Sequence, residues 1–127
     1  MLHGLRLLVP ALLLTTFACA HTGPGAEPGP SEGRVYVSVK NQHALPMEVY
    51  ATTASGMNHR MGTVNPGMNS QFFLPQNLIG SGSVRFEARP SGGGQPFRSG
   101  DVLLAPGSIV DFTIAPQLFS STVERRH

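Results

Sequence analysis

Tryptophan is absent from the 127 residues, cysteine occurs once, and charged side chains make up only 13% of the chain. Each shortage removes possibilities. With Cys19 the only cysteine, no intramolecular disulfide can form, so the fold must close on packing and hydrogen bonding alone. Acidic residues never cluster into the Asp-rich run of a calcium loop. Basic residues are nearly as dispersed. From residue 34 onward Arg34, Lys40, Arg60, Arg85, Arg89 and Arg98 each stand singly, and only Arg125 and Arg126 adjoin. A nucleic-acid face needs contiguous basic residues, usually with stacking aromatics, so nucleic acid is not an expected partner. A sustained 3.6-residue apolar period is also missing beyond residue 33, which excludes a helical domain.

What is present begins with an address. Residues 1–6 carry one basic residue, Arg6, and residues 7–18 (LLVPALLLTTFA) form an apolar stretch that ends among small residues around Cys19. This three-part order is that of a secretory signal. The stretch is shorter than the about 20 residues of a comfortable membrane span, and Pro10 interrupts it. Two processing sites compete. Ala18-Cys19-Ala20 offers a small-x-small site with cleavage after Ala20, and Ala18-Cys19 also resembles the lipobox of bacterial lipoproteins. Thr16 and Phe17 stand where that family prefers aliphatic and small residues. The resemblance implies cleavage before Cys19 and lipidation of its thiol, which becomes a membrane anchor. Either outcome removes the oddity of a lone free thiol in an oxidising compartment.

Residues 20–33 (AHTGPGAEPGPSEG) alternate proline and glycine with few apolar groups and cannot bury enough surface to fold. A disordered linker is expected there, reaching on the order of 40 Å where polyproline-like. The chain thus divides into a signal over 1–19, a linker over 20–33 and a domain over 34–127. This organisation resembles small bacterial lipoproteins that join a signal and flexible spacer to one β-sandwich. The resemblance implies an exported protein of the cell envelope, at the outer membrane or in the periplasm, and assigns it no activity.

The domain alternates like a half-buried sheet. Residues 34–41 put Val35, Val37 and Val39 on one face, and residues 108–115 do the same with Val110, Phe112 and Ile114. Further strands are expected over 47–52, 59–64, 69–74, 83–89 and 99–104, separated by turn signals such as Asn65-Pro66-Gly67 and Pro106-Gly107. A short eighth is suggested over 117–123. The expected fold is all-β: a single antiparallel β-sandwich of about seven strands with immunoglobulin-like or transthyretin-like proportions. Val37, Val49, Phe86, Val110 and Phe112 are the expected core. Phe72 and Phe73 are adjacent and must face opposite ways.

Signals of chemistry are few. Residues 80–83 (GSGS) lack the spacing and following helix of a nucleophile elbow, and residues 91–94 (SGGG) lack the lysine of a phosphate loop. No enzyme and no cofactor is expected. The sharpest alternative is Met57-Asn58-His59-Arg60-Met61. On an extended strand Met57, His59 and Met61 share a face, and two thioethers with an imidazole suit copper(I). The favoured reading is a non-enzymatic binding or structural module. If successive strands alternate in direction, residues 42–46, 65–67 and 91–97 gather at the end away from the linker. The expected partner-binding loop there contains Gly92, Gly93, Gly94, Pro96 and Phe97, with His43 beside it, facing another envelope protein.

Overall fold

Valine at every second position of residues 35–39 leaves the first strand one way to lie, with its branched side chains turned into a dry interior. The computed structural model describes residues 33–80 and 82–126. The signal, Cys19 and the linker as far as residue 32 lie outside the described residues, together with the expectations placed on them. Strand β1 (Val35–Asn41) is followed by β2 (Met47–Thr53), β3 (Asn58–Val64), β4 (Asn69–Leu74), a one-turn helix α1 (Gln76–Ile79), β5 (Ser83–Pro90), β6 (Phe97–Leu103), β7 (Ile109–Ile114) and β8 (Thr122–Arg126). The strands form two four-stranded sheets, ordered β4-β1-β7-β8 and β3-β2-β5-β6, and these make an all-β sandwich.

The core follows the alternation. Val35, Val37, Val39, Met47, Val49, Ala51, Val84, Phe86, Val110, Phe112 and Ile114 are all buried between the sheets. The rings of Phe86 and Phe112 meet at 6.2 Å across that interior, and Phe97 approaches Phe112 at 5.9 Å. Each such side chain contributes about 1.5–3 kcal/mol of burial, without which a domain lacking disulfides would not hold. The two adjacent phenylalanines separate as their pleat requires. Phe72 packs against the core, while Phe73 remains 49% exposed against Tyr36 on the outer face.

Four expectations need correction. The sandwich is not wholly antiparallel, because β1 pairs with β7 in parallel, Val37 opposite Val110. No hairpin can make that pair, so local turn signals could not reveal it. The eighth strand lies at Thr122–Arg126, and Leu118–Ser120 before it form a 3-10 turn. Strand β6 begins at Phe97, so Phe97 belongs to the sheet and the loop ends at Pro96. Finally, the connection from β4 to β5 contains α1, whose single turn is too short to register as a helical period.

Strand directions then fix two ends. Strand β1 runs from Val35, where the chain enters, to Asn41 at the opposite end. Residues 54–57, 75–80 and 104–108 lie at the entry end, called near below. Residues 42–46, 65–68, 91–96 and 115–121 lie at the far end.

Candidate functional site

The far-end loops are organised by a side chain in the buried register of β1. Asn41 follows Val35, Val37 and Val39 on the inner face and is fully buried. Its Nδ2 donates to the carbonyls of Leu45 and Val64, each at 2.9 Å, and its Oδ1 accepts from the His43 N–H at 2.9 Å. Its own backbone N–H donates to Met68, and its carbonyl accepts from Gly67. One residue therefore joins the β1–β2 and β3–β4 connections. The third loop is attached by the Ser91 N–H, which donates to Pro46 at 3.0 Å, and the fourth strand end by the Gln42 N–H donating to Ile114. A buried amide must satisfy its donors and acceptors or lose about 1–3 kcal/mol for each one left unpaired. Here the need is met by loop backbone, which fixes the loops without using their side chains.

Those side chains stay outside. Leu45, Met68 and Phe119 are exposed at this end, Phe119 by 81%. Between the β5–β6 loop and the 3-10 turn is a hollow of about 420 Å³, lined by Gln95, Pro96, Phe97, Arg98, Leu118 and Phe119. Phe97 forms its floor, half-buried on Phe112. A second groove of about 400 Å³ continues from Phe97 between the edge strands β6 and β8, past Asp101 and Glu124. The proline and the phenylalanines make the first hollow mainly apolar, while the second mixes Phe97, Val102 and Val123 with polar side chains.

Arg98 supplies the hollow's charge and connects it to the outer face of the second sheet. Its Nε donates to Glu87 at 3.2 Å, and the Arg89 Nε donates to the same carboxylate. The Arg89 guanidinium also lies 4.2 Å over the Tyr50 ring. Burial alone would push the Glu87 carboxyl up, but the hydrogen bonds and charges of Arg89 and Arg98 together outweigh it and hold the group below its ordinary value. A carboxylate held this way is a poor proton acceptor at neutral pH.

The residues singled out from the sequence are distributed as follows. His43 lies in the β1–β2 loop, and its Nδ1 accepts from the Leu45 N–H. Gly92, Gly93, Gly94 and Pro96 lie in the β5–β6 loop, which turns at Gly93 with φ +87°. Pro96 and Phe97 line the hollow. Sequence reasoning missed Asn41, Leu118 and Phe119. Asn41 was legible, since it shares the parity of the three valines before it. Phe119 carried no signal, because its position depends on the 3-10 turn.

At the near end Met57 precedes β3 in the hairpin, where its Sδ accepts from Asn77 Nδ2 at 3.8 Å. His59 is half-buried in β3. Met61 is the extra residue of a bulge, since Tyr50 pairs with Arg60 and Val49 with Gly62, and it packs against the core. Met57 is thus outside the extended strand on which its sharing a face with His59 and Met61 depended. Among the described residues no group of three His, Cys, Asp or Glu side chains is arranged to hold a metal ion.

No protein-family model matches the chain, and no curated protein matches it. Among solved structures, the NMR structure of a protein from Eubacterium rectale matches with a TM-score of 0.47 at 13% identity. The match covers 79% of this chain and 93% of that one, and nothing is carried over from it.

Proposed function

We propose that this is an exported envelope protein, anchored by lipid on Cys19, whose β-sandwich is a non-enzymatic binding module presenting its far end to another envelope protein. The observation that carries the reading is the polarity of the domain. The chain enters at the near end, and at the opposite end Leu45 and Met68 are exposed on loops fixed by Asn41, with Phe119 exposed on the 3-10 turn beside them. Loops on a rigid scaffold commonly carry recognition. An apolar hollow floored by Phe97 beside a protruding Phe119 suits an apolar side chain of a partner. No reaction is assigned, because Glu87, Arg89 and Arg98 are engaged with each other.

Two measurements test the two halves of the proposal. Mass spectrometry of the processed protein is expected to find diacylglycerol on Cys19, and Cys19→Ala is expected to release the protein from membranes. A mature N-terminus at His21 would overturn the anchor. For the binding half, a photo-crosslinking side chain at position 119 is expected to trap one envelope protein in cells, with the adduct lost when Pro96 and Leu118 are changed to serine. Equal trapping from position 50, on the outer face of the second sheet, would overturn the far-end assignment.

A further inference from the structure

The outer face of the first sheet carries a row that the far-end reading leaves unused. Register places Phe73, Tyr36, Ile109 and Arg126 side by side across β4, β1, β7 and β8. Phe73 is 49% and Ile109 37% exposed, and the Tyr36 and Phe73 rings meet edge-on at 4.7 Å. The Arg34 guanidinium lies 5.7 Å over the Phe73 ring and has no ion-pair partner among the described residues. At the other end of the row Arg126 pairs with Asp111, and Arg125 beside it donates to the Leu103 carbonyl. Leu103 and Met57, both exposed, belong to the same end of the molecule.

We propose that this near-end row, Arg34, Phe73, Tyr36, Ile109 and Arg126, is a seat on the surface of an anionic lipid bilayer. The composition fits an interface, where aromatic rings and apolar side chains enter the headgroup boundary while arginines meet the phosphates. The position fits as well, because the preceding residues join the domain at Gly33 and Arg34, beside Phe73. Of the row's two arginines, Arg126 is paired with Asp111, and Arg34 carries the charge with no ion-pair partner among the described residues. The acids of this face, Asp111 and Glu124, stand opposite each other two residues further from the near end. The inference rests on the reading that the chain is held at a membrane. A short tether gives the domain a local concentration near millimolar, so a weak seat suffices to orient it. The far end would then point away from the bilayer.

The test uses the chain's two tyrosines, which lie on opposite outer faces: Tyr36 in the row and Tyr50 beside Arg89. The processed protein is mixed with vesicles of phosphatidylglycerol and phosphatidylcholine carrying a headgroup spin label, and with labelled phosphatidylcholine vesicles alone. With Tyr50→Phe, emission from Tyr36 is expected to be quenched on the anionic vesicles. With Tyr36→Phe, emission from Tyr50 is expected to persist. Arg34→Gln is expected to weaken the quenching about five-fold and Phe73→Ser at least as much, while Arg60→Gln leaves it unchanged. Both substitutions are at exposed side chains, and circular dichroism verifies the fold. Equal quenching of the two tyrosines, or none on anionic vesicles, would overturn the seat. So would a dimer in solution that Phe73→Ser dissolves without any vesicle effect, since the row would then belong to a second copy. Absence of lipid on Cys19 overturns only the anchor, because the quenching requires no acyl chain.

Discussion

The near end of the sandwich is sealed by hydrocarbon, and the far end by hydrogen bonds. Below the near end, α1 turns its backbone on itself through the Leu78 and Gly80 N–H groups and presents Leu78 and Ile79 to the core. At the far end the equivalent space is closed by Asn41, whose amide takes up loop carbonyls that would otherwise be buried unpaired. The difference has a consequence for the surface. An apolar plug uses its own side chains to close the core, whereas a polar hub fixes loops by their backbones and leaves loop side chains exposed. Leu45 and Met68 are on the surface for that reason.

The comparison can be tested from its common ground outward. Phe112 touches both Phe86 and Phe97 and supports both ends, so Phe112→Ala is expected to cost about 3–5 kcal/mol in urea unfolding. A loss under about 1 kcal/mol would contradict the packing. Leu78→Ala removes the plug and should cost about 2–4 kcal/mol, with faster hydrogen exchange confined to the near end. Asn41→Ala leaves two carbonyls and one N–H without their partner and should cost about 2–3 kcal/mol. Exchange should then quicken over residues 42–46 and 65–68, and quickening at the near end instead would break the contrast.

Acid should act on the second sheet's outer face through Glu87. The folded pKa of Glu87 lies below its unfolded value, so its contribution is complete above the unfolded pKa and disappears as pH falls through the folded one. Glu87→Gln is expected to flatten that part of the acid limb of stability and to release Arg98 from its bond beside the hollow. An unchanged acid limb would show the carboxylate to be uncoupled from folding. The smallest effect belongs to Phe119→Ser, within about 0.5 kcal/mol, because an 81% exposed ring supports nothing in the core. A larger loss would mean that the ring is structural.

Most strands were legible because valine, phenylalanine and isoleucine alternate cleanly over β1, β5 and β7 and the turns between them are marked by proline and glycine. The two adjacent phenylalanines could be assigned to opposite faces by pleat alone, though not to a particular face. The site was less legible, for a physical reason. Met61 is displaced by a bulge, and Phe119 by a 3-10 turn, and neither irregularity leaves a periodic signature. Gly62 is the trace of the first. A Cβ there would lie 2.7 Å from the Phe72 ring, so the glycine makes room for a neighbour from the other sheet. The hollow could not be read at all, since it joins residues of β6 to residues about twenty positions later.

The parallel pairing of β1 with β7 has a consequence in time. Every strand of the second sheet is present once synthesis reaches Leu103, whereas Val37 waits for Val110, more than seventy residues after it. Until then the valine face of β1 has only β4 beside it within its sheet and no Phe112 to complete the interior. Loop closure over such a separation must be paid before any contact rewards it, and non-local pairings of this kind fold in milliseconds to seconds. A nascent chain therefore keeps the valine face of β1 uncovered on that side until β7, Ile109–Ile114, has been made.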